Sequence, residues 1–324
     1  MKETKLINSE KKLFSVYYGG CWSTNIGNAF IDYGAMHLLQ KSNPLFLSER
    51  SPFYLHDGHR LENHPDKEKY FNIGLEMNPK FVSFSGMMAC SQFFLDQKEL
   101  LENLRKKNIP IILNGVGGEN YTNDEISEVR KLLQEQNIKG FISRDDIAFD
   151  VYHDLFELSF KGIDCAFFSP EISRFKILLD LNKKYIVINN DKIEKWNKKI
   201  QVIENIIKDN TDLKQVFSHH EPEYVKPWMQ EQYGTLIAEL PDEYIILYSQ
   251  SEITISTRVH ACITTLAFGG KAFMVDDTPR SSLFDVMGAK MIKEKPVAID
   301  MDLLSKKKNS HKNALTKILN NINE

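Results

Sequence analysis

Short runs of β-branched and aromatic residues alternate with stretches of helical periodicity along most of this chain of 324 residues. This alternation constrains the fold more than any other feature, because strands that alternate with helices are typical of parallel sheets. The sequence therefore predicts an α/β fold. The predicted strands are Leu13–Tyr17, Phe81–Ser85, Ile109–Leu113, Phe141–Ser143, Tyr185–Ile188, Gln215–Ser218, Ile253–Ser256 and Ala272–Val275.

Apolar stripes mark the intervening helices. Thr122 and Glu125 have the spacing of a capping box at the start of a helix. A stripe with steps of four, three and four residues predicts a helix face that packs against the sheet. Its members are Trp196, Ile200, Ile203 and Ile207. A last stripe predicts an amphipathic C-terminal helix that could pack on either half of the molecule. It consists of Leu315, Ile318, Leu319 and Ile322.

The length of the chain predicts two domains, because a single hydrophobic core usually stops growing near roughly 250–300 residues. The segment Phe168-Ser169-Pro170 interrupts the alternation of strands and helices. We therefore expect an N-terminal domain over residues 1–168 and a C-terminal domain over residues 169–324.

Charge and cysteine usage exclude several classes of protein. Lys and Arg number 41 against 44 Asp and Glu, and the net charge of −3 argues against a nucleic-acid-binding surface. The four cysteines occur singly, which argues against a zinc finger or a disulfide framework. The polar segment 1–12 has no apolar run behind it, and no stretch has the roughly 18 apolar residues of a membrane span. We expect a cytoplasmic protein.

Two glycine-bearing loops follow predicted strands, and ligands of parallel sheets bind beyond the carboxyl ends of the strands. The first loop brings Asn25, Gly27 and Asn28 to the start of a helix, where backbone amides can hold an anion or sugar hydroxyls. The alternative is a tight turn with an asparagine cap. The second loop places Gly117 and Gly118 where a ligand can press against the backbone, and a plain glycine-rich turn is its alternative.

The most specific segment is Ser256-Thr257-Arg258-Val259-His260, which leads from a strand into a helix that is apolar nearly all round. Arg258 and His260 therefore lie at the N-terminus of a buried helix. A guanidinium, an imidazole and free helix amides at one point form a site for a small, multiply charged anion. The alternative is a histidine satisfied within the core.

Other charged groups near strand ends have structural alternatives. Arg144 either points into a ligand-binding cleft beyond the strand ends or forms an ion pair with a neighbouring aspartate, Asp145 or Asp146. Asp276, Asp277 and Arg280 face one sheet edge, or form a turn ahead of Pro279. Adjacent His219 and His220 point to opposite faces if they continue the strand, so we expect no metal site there.

Taken together, these loops resemble the polysaccharide pyruvyl transferase family. The resemblance covers about residues 14–280. The matching pieces are Asn25-Ile26-Gly27-Asn28, Gly115-Val116-Gly117-Gly118, Ser143-Arg144-Asp145, Gly162-Ile163-Asp164, and Ser256-Thr257-Arg258-Val259-His260 followed by an apolar helix, Gly270 and Lys271.

The resemblance implies two Rossmann-like parallel-sheet domains that face a cleft, similar to B-type glycosyltransferases. It also implies transfer of the enolpyruvyl unit of phosphoenolpyruvate to two hydroxyls of a sugar, with a pyruvate ketal and phosphate as products. The acceptor is a sugar or a lipid- or nucleotide-linked saccharide of a surface polysaccharide or exopolysaccharide precursor. No cofactor is needed besides the donor substrate, phosphoenolpyruvate.

By position, the resemblance makes His260, Arg258 and Arg144 catalytic residues that also bind the donor substrate. Imidazoles ordinarily titrate near pH 6.5, which suits His260 as a general acid toward the methylene carbon of phosphoenolpyruvate. Further residues are expected to bind the donor substrate on the C-terminal side, namely Ser256, Thr257 and Arg280. The acceptor is expected on the N-terminal side, at Asn25, Gly27, Asn28, Gly117 and Gly118.

The sequence departs from the family pattern on the acceptor side. Asn28 stands where many relatives carry Asp, and Asp277-Thr278-Pro279-Arg280 replaces the usual Tyr and Lys. A different acceptor or a weaker activity follows if that aspartate orients the acceptor hydroxyl. Two alternative functions fit the same scaffold: a glycosyltransferase that uses a nucleotide sugar, and a relative that binds sugar or phosphate without turnover.

Overall fold

The computed structural model describes residues 14–20, 22, 25–48, 73–180, 185–189, 193–220, 235–238 and 240–323. The expectations for residues 1–12, Leu13, Cys21, Ser23 and Thr24 lie outside these ranges. None of the helices within them combines the length and the apolar character that crossing a bilayer requires.

A first parallel sheet is built from the N-terminal half of the described chain. Its strands are β1 (Val16–Gly19), β2 (Leu45–Ser48), β3 (Val82–Gly86), β4 (Ile111–Val116), β5 (Ile138–Ser143) and β6 (Ser159–Lys161). They lie side by side in the order β2-β1-β3-β4-β5-β6, and every pairing is parallel. The order reverses between β1 and β3, which is where an open parallel sheet offers a ligand-binding crevice.

Helices cover this sheet. They are α1 (Gly27–Leu39), α2 (Ile73–Glu76), α3 (Ser91–Asp96), α4 (Lys98–Lys106), α5 (Asn123–Gln134) and α6 (Asp146–Tyr152), with 3₁₀ segments at Gln40–Ser42, His153–Leu155, Cys165–Glu171 and Ser173–Asp180. The predicted cap of α5 is confirmed, since the Thr122 hydroxyl accepts from the Glu125 amide at 3.3 Å. The Glu125 carboxylate accepts in turn from the amides of Asn120 and Tyr121.

A second parallel sheet follows in the C-terminal half. Its strands are β7 (Tyr185–Asn189), β8 (Lys214–Ser218), β9 (Thr235–Leu236), β10 (Ser251–Ser256) and β11 (Lys271–Met274). The order is β11-β10-β7-β8-β9, again parallel throughout, and it reverses between β7 and β10. The helices of this half are α7 (Ile193–Asn197), α8 (Ile200–Lys208), α9 (Pro241–Ser249), α10 (Val259–Ala267) and α11 (Met301–Asn323), with 3₁₀ segments at Pro279–Met287 and Lys290–Lys293.

Hydrophobic packing joins the two sheets. One cluster contains Phe30 of α1, Tyr248 of α9 and Ile263 of α10, so helices of both halves share a core. Separate clusters cover the remaining face of each sheet. The predicted domain boundary at residues 168/169 lies in the buried 3₁₀ segment Cys165–Glu171, which packs against α1 and α10.

The C-terminal helix α11 returns to the first half of the molecule. It packs against β5 and β6, and Ile318 lies so close to Gly140 that an added Cβ there would sit 2.5 Å from the isoleucine. One predicted stripe is wrong in part. The chain breaks between α7 and α8, and this break turns Ile200 outward while Ile203 and Ile206 enter the core.

Candidate active site

One cavity of about 310 Å³ opens at the carboxyl ends of strands from both sheets. It lies beside the two points of strand-order reversal, because residues that follow β1, β3 and β10 line it. Most predicted site residues are among its lining: Asn25, Gly27, Asn28, Arg144, Thr257, Arg258, His260 and Arg280. The structure therefore brings together segments that lie far apart in the sequence.

Arg144 and Asp164 form a buried ion pair at this cavity. The Arg144 Nη1 and Asp164 Oδ2 atoms are 3.4 Å apart, and the exposed fraction of these side chains is 2% and 0%. Arg144 also lies 3.9 Å from Asp145 and donates to the carbonyl of Gly118. Both sequence-based interpretations of Arg144 hold, since the same side chain forms ion pairs and lines the cavity.

His260 shares the same carboxylate. Its Nε2 atom is 3.5 Å from Asp164 Oδ2. The other ring nitrogen, Nδ1, lies on the side of α1, 3.5 Å from where a Cβ on Gly27 would be. Gly27 and His260 both line the cavity, and a Cβ at Gly27 would contact the histidine on this side. Asn25 fixes this end of α1 by accepting from the Gly27 amide at 3.1 Å.

The pKa of Asp164 reflects its cationic neighbours. Burial raises the pKa of this carboxyl, but His260, Arg144 and a hydrogen bond from the Ala166 amide together outweigh burial and hold the pKa below its ordinary value. Asp164 is therefore ionised at neutral pH and is the anion between two potential cations. The sequence offered Asp164 only as part of a matching segment, without a role.

Three guanidinium groups converge on the cavity. Burial lowers the pKa of Arg280, and the positive charges of Arg144 and Arg258 lower it further, against the carboxylates of Glu119 and Asp276. Like charges at this range repel, and they lie together in a partly buried space. An anionic ligand of matching size would offset this repulsion.

Arg258 is held by the turn between β10 and α10. Its backbone is extended (φ −104°, ψ 121°), and its amide donates to the Ser256 hydroxyl at 2.8 Å. Ser256 itself is fully buried and donates to Asn189 at 2.9 Å. Ser256 therefore positions the arginine and does not line the cavity, and its predicted contact with the donor substrate stays a prediction.

Gly117 and Gly118 lie behind Arg144 and do not line the cavity. A Cβ on Gly117 would be 2.6 Å from the guanidinium Nε of Arg144, and one on Gly118 would be 2.7 Å from the Tyr121 ring. Tyr121 donates to Asp145 and accepts from the Gly118 amide. Both glycines thus allow close packing around Arg144, and their contact with an acceptor stays a prediction.

Asp32 is a cavity residue that the sequence did not reveal. It lies one turn after Asn28 on α1, is 2% exposed, and accepts from Tyr17 Oη at 2.7 Å and Trp22 Nε1 at 2.6 Å. Burial raises the pKa of its carboxyl to about 7, against the hydrogen bonds from Trp22, Tyr17 and Gly20. A carboxyl with this pKa can both accept and release a proton near neutral pH.

The remaining candidates have structural partners. His219 and His220 are both buried just beyond β8, and His220 lines the cavity and contacts the Tyr248 hydroxyl through Nε2. Within the described ranges, no group of three or more His, Cys, Asp or Glu residues is placed to hold a metal ion.

The two carboxylates ahead of Arg280 form ion pairs outside the cavity lining. Asp276 pairs with Lys195, and the exposed Asp277 pairs with Lys199. The Asp276 carboxylate also raises the pKa of Arg280, and the expectation that both carboxylates face one edge together with Arg280 stays a prediction. Thr278 caps the 3₁₀ segment Pro279–Met287, because its hydroxyl accepts from the Arg280 amide at 3.4 Å.

The fold and the cavity define an α/β protein of two Rossmann-like parallel sheets with a cavity between them that three arginines line. The chain belongs to the polysaccharide pyruvyl transferase family, whose model matches residues 25–278. This is a family of transferases, as the resemblance predicted. A search of curated proteins finds no match to the sequence.

The solved structures that align with this chain include UDP-N-acetylglucosamine 2-epimerases. The UDP-N-acetylglucosamine 2-epimerase from Rickettsia bellii aligns with a TM-score of 0.55 at 12% identity, over 96% of this chain and 97% of its own. The epimerase from Neisseria meningitidis bound to UDP-GlcNAc aligns with a TM-score of 0.53 at 15% identity, over 92% and 91%. These likenesses confirm the predicted fold, similar to B-type glycosyltransferases.

Proposed function

We propose that this protein transfers the enolpyruvyl unit of phosphoenolpyruvate to two hydroxyls of a saccharide. The observation that carries the proposal is the convergence of Arg144, Arg258 and Arg280 on the cavity that also contains His260. Phosphoenolpyruvate has a carboxylate and a phosphate on adjacent atoms, and planar guanidinium groups bind both by paired hydrogen bonds. Arg144 lines this cavity while its ion pair with Asp164 holds the guanidinium in place.

The first step is protonation of the methylene carbon of the donor substrate. In the proposed arrangement Nε2–H of His260 faces the ionised Asp164, and the ring acts as an imidazolium whose second proton, on Nδ1, is the one transferred to the substrate. Transfer of this proton leaves positive charge on C2, which an acceptor oxygen attacks. Proton transfer from a positioned imidazole typically contributes about 10²–10⁴-fold to the rate.

The acceptor hydroxyl loses its proton as its oxygen bonds to C2, and Asp32 is placed to receive that proton. The bond from C2 to the phosphate oxygen then breaks, and phosphate leaves with the electron pair. The second hydroxyl adds to C2, and its proton passes to the departing phosphate. The balance is one ketal and one phosphate from one phosphoenolpyruvate and two hydroxyls, which needs no resident cofactor.

The test is phosphate release from phosphoenolpyruvate across a panel of sugars, lipid-linked saccharides and nucleotide sugars. We expect release only with an acceptor present. His260→Ala abolishes release and leaves the fold intact. Arg130→Lys is the matched control for changes to the cavity arginines, since Arg130 pairs with Asp154 at the surface.

Two results would contradict the proposal. Thermal stabilisation by UDP or UDP-N-acetylglucosamine, but not by phosphoenolpyruvate, would favour a nucleotide-sugar-dependent enzyme, in line with the ligand named for the Neisseria epimerase. Stabilisation by phosphoenolpyruvate with no release for any acceptor would favour a binding protein without turnover.

A further inference from the structure

The C-terminal helix α11 inserts a histidine beneath the cavity. His311 is fully buried, and its ring packs edge-on against Phe168 at 5.3 Å between centroids. The helix begins at Met301, beyond residue 278 where the family match ends. His311 therefore belongs to a part of this chain that the family pattern does not cover.

The two ring nitrogens of His311 have distinct partners. Nδ1 lies 3.3 Å from the backbone nitrogen of Ile163, which can only donate, so Nδ1 accepts. Nε2 must then carry the proton and donate to Asn114 Oδ1 at 2.7 Å. Burial lowers the pKa of His311 to about 4, against the opposing effect of Asp164, so the neutral ring required by this pattern is the stable form.

The backbone that His311 fixes leads directly into Asp164. A Cβ on Gly162 would lie 2.7 Å from His311 Nδ1 and 2.4 Å from Ile142, so the backbone here packs directly against the His311 ring with no room for a side chain. Asp164 Oδ1 accepts from the Ala166 amide at 2.9 Å, which leaves Oδ2 toward Arg144 and His260.

We propose that His311 is a positioning residue of the active site: through Ile163 it holds the carboxylate of Asp164 in contact with Arg144 and His260. This proposal rests on the proposed function for its catalytic consequence. The Asp164 carboxylate contacts both Arg144 and His260. A rotation of the backbone at residues 163–164 would therefore move this carboxylate away from both side chains. Displacements of about 1 Å can cost on the order of 10²-fold in rate.

Two conservative variants separate the two hydrogen bonds. The amide of His311→Asn reaches the place of Nδ1 and retains the bond from Ile163. The amide of His311→Gln reaches the place of Nε2 and retains the bond to Asn114. Ile318→Val on the same helix is the control, since it loosens the packing on Gly140 without touching residues 162–164.

The experiment measures kcat and KM for phosphate release, the melting temperature, and hydrogen exchange of the Ala166 amide by NMR. We expect His311→Gln to lose about tenfold to a hundredfold in kcat and to exchange the Ala166 amide faster, because this amide reports the Asp164 side chain. His311→Asn and Ile318→Val should keep most of the activity and the slow exchange, even at equal loss of melting temperature.

The proposal is overturned if activity and Ala166 exchange follow melting temperature alike in all three variants, because His311 would then be a packing residue only. If the wild-type protein releases no phosphate from phosphoenolpyruvate, the proposed function fails and the positioning claim is judged on exchange alone. Faster Ala166 exchange in His311→Gln but not in His311→Asn then supports it, and equal exchange refutes it.

Discussion

His311 is expected to make the native state less stable as the pH falls. Burial lowers the pKa of its imidazole from 6.5 to about 4, with Asp164 acting in the opposite direction. Between these values the unfolded chain binds a proton that the native protein does not bind. The free energy of unfolding therefore decreases as the pH falls from about 6.5 toward 4.

Asp32 is expected to act in the opposite direction. Burial raises the pKa of its carboxyl from 3.8 to about 7, although hydrogen bonds from Trp22, Tyr17 and Gly20 lower it. Between these values the native protein binds a proton that the unfolded chain releases. Asp32 therefore adds stability as the pH falls from about 7 toward 4, and this contribution is lost as the pH rises again.

The two effects nearly cancel in the wild-type protein. Between pH 6.5 and 5.0, the pKa values of the native and unfolded states give a loss of about 1.5 kcal/mol from His311 and a gain of about 2 kcal/mol from Asp32. This window lies above the pH range in which Glu171 changes stability. Burial raises the pKa of that carboxyl, but His37 and two lysines outweigh burial and lower it from 4.5 to about 2, so its contribution is lost only below about pH 4.5. Each single variant should expose the effect of the other residue.

The assay is urea unfolding at several pH values between 5.0 and 6.5, followed by tryptophan fluorescence. Asp32→Asn should lose about 1.5 kcal/mol of stability over this window, and His311→Gln should gain about 2 kcal/mol. The Tyr17 hydroxyl can turn to accept from the new amide of Asp32→Asn, so this variant is expected to fold. Asp209→Asn at an exposed site is the control. Curves that run parallel to the wild type for both variants would refute the reasoning.

Three further changes test the cavity itself. Arg258→Lys loses the planar fork, so the affinity for phosphoenolpyruvate in calorimetry should weaken by about 1.5–3 kcal/mol, and equal affinity would remove Arg258 from the site. Asp164→Asn leaves Arg144 without its main buried counter-charge and should lower the free energy of unfolding by about 3–5 kcal/mol; a loss near zero would show that Asp145 suffices. Gly27→Ala places a methyl group against His260 and should reduce kcat without loss of melting temperature. Full activity of this variant would show that the proton given to the substrate does not leave from Nδ1 of His260.

The fold was largely predictable because buried parallel strands have an unmistakable composition. The strands that the pattern missed, β2, β6 and β9, are short and lie toward or at the sheet edges, where partial exposure removes the continuous apolar run. The stripe from Trp196 to Ile207 was wrong at Ile200 for a different reason. Periodicity assumes one unbroken helix, and the break between α7 and α8 changes which isoleucines face the core.

Residues of the candidate site were predictable where a charged side chain directly follows a strand in the sequence. Arg258 and His260 are adjacent to a strand end, so a local segment reveals them. Asp32 lies within a helix and His311 within another, and neither segment contains a local pattern that points to a ligand. Both enter the site only because the tertiary fold carries their helices to the ends of β1 and β4.

The charged side chains around the cavity indicate which kind of ligand binds there first. Asp164 is one carboxylate, and it faces both Arg144 and His260. Arg258 and Arg280 add two more guanidiniums to the same lining, and the carboxyl of Asp32 is only partly ionised at neutral pH because burial raises its pKa to about 7. The positive charges of Arg144 and Arg258 lower the pKa of Arg280 together with burial, so the three guanidinium groups repel one another. A dianion or trianion that displaces water from it removes repulsion among the arginines and gains their hydrogen bonds together, which favours a compact polyanion over a neutral sugar as the first ligand to bind.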